Sequence, residues 1–290
     1  MNIFVTGAAG FVGSAVVREL LAAGHQVTGL ARSDASAQAI AALGARVHRG
    51  ALQDLDSLAR GAAESDGVIH TAFIHDFSNY AASVEADQRA IEALGQALAG
   101  SGRPLLVTSG TRRVPGGGPA TEDLPADSNF PRRSEQAALP FAIRGVRVAV
   151  MRLPPTVHGA GDHGFVPELI RIARATGVAG YIGDGSNRWA AVHRLDAARA
   201  FRLALEKAPA GTRVHAVAEE GIATKEIAAV IGRRLGLPVT SKPADHFGWL
   251  GTFVAMDLPT ASQQTRALLG WRPVEKGLLD DLDSAAYFPS

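Results

Sequence analysis

Thr6-Gly7-Ala8-Ala9-Gly10-Phe11-Val12-Gly13 follows the short apolar run Asn2-Ile3-Phe4-Val5 and leads into Ser14-Ala15-Val16-Val17-Arg18-Glu19-Leu20-Leu21. The order reads as strand, glycine turn, helix. Gly7 permits a sharp turn, because a residue without Cβ takes positive φ freely. Gly10 lets a pyrophosphate approach the backbone, and Gly13 lets the helix sit close to the strand. The start of the helix offers free N–H groups and roughly +0.5 of partial charge to phosphates. A glycine triplet alone says little. One placed directly after a strand and opening an amphipathic helix points to a dinucleotide site.

The rest of the chain continues this alternation. Strands are expected at 25–31, 45–48, 67–71, 104–108 and 146–151, with helices near 35–43, from Asp54 and Ser57 onward, over 81–98 and over 132–143. Strands rich in Val, Ile and Leu between helices imply a parallel sheet covered on both faces. The segment 110–131 breaks the rhythm with Pro115, Gly116, Gly117, Gly118, Pro119, Pro125 and Pro131, and reads as a lid or substrate loop in preference to a disordered stretch. Beyond Met151 the pattern changes. A helix over 165–176, short strands at 178–182 and 189–192, and helices near 196–205 (Asp196 as N-cap), 224–235 (Thr224 as N-cap) and 262–269 describe a smaller mixed lobe. The expected architecture is α/β: a doubly wound Rossmann sheet over residues 1–152 and a substrate lobe over 153–290, parts of which return to the sheet.

Composition narrows the partners. The chain has 290 residues, 47% of them hydrophobic, and a net charge of +1, so nothing in the bulk charge calls for nucleic acid or an anionic membrane. Without cysteine there are no disulfides, thiolate chemistry or sulfur-based zinc sites, which fits a reducing compartment. No basic and apolar leader precedes the first strand, and no apolar run reaches the roughly 20 residues that span a bilayer. The expected setting is the cytoplasm and the expected partner a small-molecule substrate.

An NAD site usually places an acidic residue at the end of the second strand, on the ribose 2′-hydroxyl. Here Ala31 occupies that place, followed by Arg32 and Ser33. Arg32 attracts a 2′-phosphate and Ser33 adds a hydroxyl donor, so the cofactor is expected to be NADP(H). Asp34 is expected to face solvent or cap the next helix.

Further motifs add to these glycines: Val68-Ile69-His70-Thr71-Ala72, Leu106-Val107-Thr108-Ser109, Arg152-Leu153-Pro154-Pro155-Thr156-Val157-His158-Gly159, Gly183-Asp184-Gly185-x-x-Arg188-Trp189, Val192-His193-x-x-Asp196 and Leu269-Gly270-Trp271-Arg272-Pro273. With them the chain resembles the extended and atypical short-chain dehydrogenase/reductase superfamily over nearly its whole length. In particular it resembles an atypical subgroup of NAD(P)-dependent epimerases or dehydratases. The resemblance implies a cofactor cradle of Gly7, Gly10, Phe11, Val12, Gly13, Arg32, Ser33, Leu52, Thr71, Ala72, Phe73, Thr108, Pro154 and Thr156. It also implies a homodimer through the helices around 81–98 and 132–143.

The resemblance breaks at the catalytic pair. Such proteins carry Tyr-x-x-x-Lys, an upstream Ser or Thr, and an Asn. Here the tyrosines are Tyr80, Tyr181 and Tyr287, and none has a lysine four residues later. The best register sets Pro131 at the Tyr slot and Glu135 at the Lys slot, with Asp87 in place of the Asn. The upstream hydroxyl is Ser109 or Thr111, either of which can polarise a carbonyl. Glu135 is read as an acceptor for ribose hydroxyls or as a solvated helix-face residue beside Arg132 and Arg133. Asp87 is an acid if burial raises its pKa, or else a structural acceptor. His158 is a candidate acid near the nicotinamide end, against an ordinary loop histidine. His75 and Asp76 sit in a substrate-facing loop or a plain surface loop.

Other residues are read as structural. His163 and Asp162 lack further metal ligands at useful spacing, so no metal is expected. His193 reads as packed or capping, Arg188 as an anion ligand or a solvated turn residue, and Trp189 as core. A positioned acid or base contributes only about 10²–10⁴-fold, so its loss does not forbid catalysis. The expected function is an NADP(H)-dependent oxidoreductase acting on a carbonyl or alcohol. The alternatives are a sugar epimerase or dehydratase, and a regulator that binds NADP without turning it over.

Overall fold

The computed structural model describes residues 1–75, 79–114, 116–126 and 132–288. Asp76, Pro115 and Pro131 lie outside them. Among the described residues, seven strands make one sheet in the order β3-β2-β1-β4-β5-β6-β10, every neighbouring pair parallel. The strands are β1 (Asn2–Thr6), β2 (Gln26–Ala31), β3 (Arg46–Arg49), β4 (Gly67–His70), β5 (Pro104–Gly110), β6 (Arg147–Leu153) and β10 (Thr212–His215). The order reverses between β1 and β4, which opens a crevice at their carboxyl ends.

Two apolar layers cover the sheet. On one face α1 (Phe11–Ala22), α2 (Asp34–Ala42) and α7 (Arg194–Lys207) bury Val16, Leu20, Ile40 and Phe201 against Ile3, Val5 and Ile69. On the other, α3 (Leu55–Ala63), α4 (Tyr80–Leu98) and α5 (Ser134–Ala138) bury Leu58, Ile91, Leu94 and Ala138 against Phe4, Val68 and Val107. Alternate residues of the central strands feed opposite layers, which explains their nearly continuous apolar sequence.

The expected helix over 132–143 is instead two pieces. α5 ends at Ala138 and a 3-10 turn runs over Leu139–Arg144, because Pro140 has no N–H to continue an α-helical ladder.

The second lobe has its own core. α10 (Gln263–Leu269) packs on α7, whereas around Trp189, Val166, Ile170, Ile227, Phe247 and Leu278 pack α6 (Phe165–Thr176), α8 (Thr224–Leu235), α9 (Gly251–Val254) and α11 (Leu278–Leu282). They enclose two small sheets, β11-β9-β7 and β12-β8, made of β7 (Thr156–His158), β8 (Ala179–Tyr181), β9 (Arg188–His193), β11 (Glu219–Ala223) and β12 (Val239–Ser241). α6 matches its expected limits.

Two capping expectations are corrected. His193 caps α7, its Nδ1 accepting from Leu195 N at 3.3 Å. Asp196 lies inside the first turn and accepts from the Val274 and Glu275 amides, both at 2.9 Å, so it ties down the tail before α11. Ala223 precedes α8, and Thr224 instead donates its hydroxyl to Asn187 Oδ1 at 2.8 Å.

The two lobes interleave. β10 returns from the second half of the chain to edge the large sheet, and α7 packs on α1 and on the sheet. The part of the 110–131 segment described around Ala120–Leu124 is anchored. Ala120 bridges Thr260, Glu122 accepts from Thr265 N and Oγ1 at 2.8 and 2.7 Å, and Leu124 O accepts from Arg152 at 2.7 Å. Among the described residues no helix is long and apolar enough to cross a membrane.

Candidate active site

The glycine loop closes over the carboxyl end of β1. Gly7 adopts φ +72°, and Gly10 N donates to Gly7 O at 2.8 Å. A Cβ on Gly13 would stand 2.0 Å from Gly7 O, so only glycine lets α1 lie this close to the loop. The first helical bond of α1 runs from Ser14 N to Gly10 O, and Gly10 has no side chain to cap the helix. The amides of Phe11, Val12 and Gly13 therefore precede any intrahelical acceptor, and the first turn carries no acidic side chain. This cradle fits a pyrophosphate.

At the end of β2, Arg32 and Ser33 are exposed. Ser33 caps α2, its hydroxyl accepting from Ser36 N at 3.2 Å. Asp34 faces solvent and pairs with Arg49 at 2.7 Å. No carboxylate other than this paired one stands among the residues that directly follow the strand. Leu52, in the turn after β3, belongs to the core beneath α3.

Across the switch point, a line of buried polar groups crosses the ends of β1, β4 and β5. Thr6 Oγ1 meets His70 Nδ1 at 2.9 Å, and His70 Nε2 meets Asp87 Oδ1 at 3.2 Å. These partners require the Nε2–H tautomer if Asp87 is ionised. Asp87 Oδ2 accepts from Ser134 Oγ at 2.5 Å, and Ser134 Oγ accepts from Arg132 Nε at 2.8 Å. Arg132 Nη2 donates to Thr108 O at 3.1 Å, and its guanidinium lies 4.2 Å from the Phe73 ring centre. Thr108 Oγ1 donates to His70 O, and Thr71 Oγ1 to Thr6 O. Ala72 and Phe73 follow in the same crevice.

Asp87 is 1% exposed. Burial pulls its carboxyl up, yet the His70 hydrogen bond and the Arg132 charge outweigh that and hold it below the usual range. The reading of Asp87 as an acid raised by burial is therefore corrected: it is a fixed anion that organises its neighbours.

Glu135 is also corrected. It is neither solvated nor open to a ribose. Both carboxylate oxygens accept from Arg152 at 2.8 Å, and Arg213 adds a bond at 3.1 Å. Arg152, fully buried on β6, also donates from Nη1 to His215 Nε2 at 3.3 Å. Burial opposes ionisation of Glu135, but Arg152 and Arg213 prevail and depress its pKa.

Ser109 and Thr111 lie at and just beyond the end of β5, next to Arg152 and Leu153. Among the described residues the buried Thr111 hydroxyl has no hydrogen-bond partner, and the same holds for Thr156 Oγ1. Pro154 and Thr156 are buried on the connection from β6 to β7.

His158 is no loop histidine. It is fully buried, with Nδ1 2.9 Å from Asp281 Oδ2, its ring edge-on to His193, and Nε2 without a partner among the described residues. Burial lowers its pKa, which Asp281 offsets only in part, so an acid role near neutrality is not what this environment favours. The sign gives a prediction. Above about pH 6.5 the imidazole is neutral in both folded and unfolded chains; below it the unfolded chain binds a proton that the folded one resists. Stability is expected to fall from pH 6.5 toward 5 by less in His158→Asn than in the parent, as read from urea midpoints. Equal slopes would dismiss the effect.

The remaining residues are placed as follows. Trp189 is core. Arg188 pairs with Asp257 at 2.9 Å. Asp162 accepts from Tyr287 Oη and Gly164 N, while His163 packs edge-on to Phe11. Among the described residues no group of His, Asp and Glu could hold a metal ion. His75 stacks edge-on to Phe73. Sequence reasoning gave no role to His70, Arg132, Arg152 or Asp281. The available signal was an ionisable side chain inside an apolar parallel strand, as at His70 and Arg152, because such a group must find a partner.

Known proteins place this geometry. The chain is 52% identical over 295 residues to the uncharacterized protein C2A9.02 of Schizosaccharomyces pombe, spanning 99% of this chain and all of that one. It is 29% identical over 232 residues to a 4-hydroxy-2-methyl-3-oxo-4-farnesyl-3,4-dihydroquinoline-1-oxide ketoreductase of Stigmatella aurantiaca, spanning 73% of this chain and 66% of the other. The fold superposes on the dTDP-glucose 4,6-dehydratase DesIV of Streptomyces venezuelae with a TM-score of 0.77 at 22% identity, over 99% and 96% of the two chains. Residues 3–217 match the model of the NAD dependent epimerase/dehydratase family, and the chain belongs to that family.

Proposed function

We propose that this protein is an NADP(H)-dependent oxidoreductase that acts on the carbonyl or alcohol of a small metabolite. The observation that carries the cofactor choice is the end of β2. Arg32 is exposed there beside a helix capped by Ser33, and the nearest carboxylate, Asp34, is engaged by Arg49. A 2′-phosphate meets an exposed guanidinium at that place, whereas the carboxylate that a 2′-hydroxyl would use is already engaged by Arg49. When bound, the nicotinamide supplies or accepts the two-electron equivalent of the reaction. The residues of this chain hold it: the amides of Phe11, Val12 and Gly13 at the pyrophosphate, and Thr71, Ala72, Phe73 and Thr108 along the ends of β4 and β5. Likeness to a ketoreductase supports carbonyl chemistry. We also infer a cytoplasmic homodimer that pairs through the outer face of α4 and the turn carrying Ile143, which is 94% exposed.

Fluorescence titration tests the cofactor. NADPH is expected to bind about tenfold or more tightly than NADH, and Arg32→Ala to erase the difference, since a charge-assisted bond contributes roughly 1.5–3 kcal/mol. Equal affinities in the parent protein would refute the preference. NADPH consumption against aldehydes and ketones then tests the reaction. Tight binding without any turnover would identify a sensor, and a retained cofactor with sugar interconversion an epimerase.

A further inference from the structure

We propose that Arg132 is the substrate-binding residue of this site, holding a pair of oxygen atoms on the substrate through its outward N–H groups. The inference deepens the reading of the crevice as a nicotinamide site and rests on it. Arg132 is fixed on three sides. Nε is spent on Ser134 Oγ, one Nη2 donor on Thr108 O, and the flat face on the Phe73 ring. Asp87 Oδ2 stands 3.6 Å from Nε, and that carboxylate is locked by His70 at Oδ1 and Ser134 at Oδ2. The side chain is 17% exposed, and its hydrogen bonds to described residues are made by Nε and Nη2, with none from Nη1. A guanidinium held this firmly with donors to spare is already set in place to receive a ligand oxygen.

Its position says which ligand. The dinucleotide lies across the switch point, one mononucleotide on each half of the sheet. Arg32, at the end of β2, is on the adenosine half. Arg132 is on the other half, over Thr108 at the end of β5, where the reacting end of the cofactor and the substrate meet. The planar fork matches two oxygens side by side. Asp87 balances the charge beneath it, so the oxygen pair can belong to a neutral dicarbonyl or to an oxo acid. The shared chemistry is a carbonyl with a second oxygen on the next carbon.

Isothermal titration of the full chain decides this without turnover. The protein is saturated with whichever oxidised nucleotide it binds more tightly, then titrated with methyl pyruvate, pyruvate or butanone. The first two carry the same oxygen pair, neutral and anionic; butanone carries one oxygen. At least one of the pair is expected to bind more tightly than butanone. Arg132→Ala and Arg132→Gln should weaken that probe by roughly tenfold or more, to the level of butanone. Arg132→Lys should recover only part, because an ammonium lacks the fork. Nucleotide affinity should fall by much less than probe affinity, since Arg132 reaches the cofactor only indirectly, through Phe73 and Thr108. Whichever probe wins identifies the neutral or anionic source. Unchanged probe binding in the Ala and Gln variants overturns the proposal, as does a parent protein that prefers neither paired probe to butanone. A parallel loss of nucleotide affinity assigns Arg132 to the cofactor and also overturns it. Failure of the NADP(H) reading shows separately, as a parent that prefers NAD⁺.

Discussion

Gly13→Ala is expected to weaken NADPH binding by roughly 10- to 100-fold and to lower the melting temperature, since forcing an extra methyl into a packed contact costs about 1–3 kcal/mol. The new Cβ would stand 2.0 Å from Gly7 O and 2.7 Å from Gly7 C, both backbone atoms that cannot swing aside as a side chain would. Either α1 retreats from β1 or the Gly7 carbonyl turns, and both moves displace the amides that face the phosphates. Gly10→Ala is the comparison. Its Cβ would lie 3.1 Å from the same oxygen at an exposed position, so a smaller loss of stability is expected there. Fluorescence titration and thermal melting measure both variants. An affinity for Gly13→Ala within twofold of the parent would show that the close approach of helix and loop is not what builds the cradle.

Glu135→Gln is expected to destabilise the fold by about 3–5 kcal/mol, because removing one partner of a buried ion pair leaves the other charge uncompensated. Arg152 is fully buried, and three of its contacts converge on Glu135 and His215. Urea denaturation at neutral pH reads the loss, and a change below about 1 kcal/mol, the range of exposed pairs, would contradict the assignment. The pH course follows from the sign. The folded pKa of Glu135 lies below its unfolded value of 4.5, so the stabilisation is fully present above that value and fades as pH falls through the folded pKa. The parent and Glu135→Gln should therefore converge in stability only in strong acid.

These two residues show what could be read in advance. Gly13 was legible because its constraint is local: a strand, a tight turn and a helix within a dozen residues leave little other arrangement. The alternation that follows was legible for the same reason, and α6 has its expected ends because apolar spacing runs unbroken from Phe165 to Thr176. Glu135 was misread because its partners come from β6 and β10, far along the chain, and local spacing carries no trace of them. β10, Thr212-Arg213-Val214-His215, is not among the expected strands; its two basic residues find their partners only in the fold, where Arg213 reaches Glu135 and the His215 imidazole donates to Ala261 O. The cap role expected of Asp196 rests on its place near a helix start, but the tail that it anchors is almost 80 residues on. In the candidate site the cofactor cradle is local and the polar line from Thr6 to Arg132 is tertiary, drawn from β1, β4, α4 and the approach to α5.

The return of β10 to the edge of the large sheet has a consequence for how the protein is made. A ribosome delivers β6 well before β10, with the whole excursion through α6, β8 and β9 between them. During that interval β6 is a bare edge, its outward N–H and C=O groups unpaired and its apolar face not yet roofed by α7. The nascent chain thus carries an unpaired strand edge until β10 docks, the kind of surface on which partly folded chains associate.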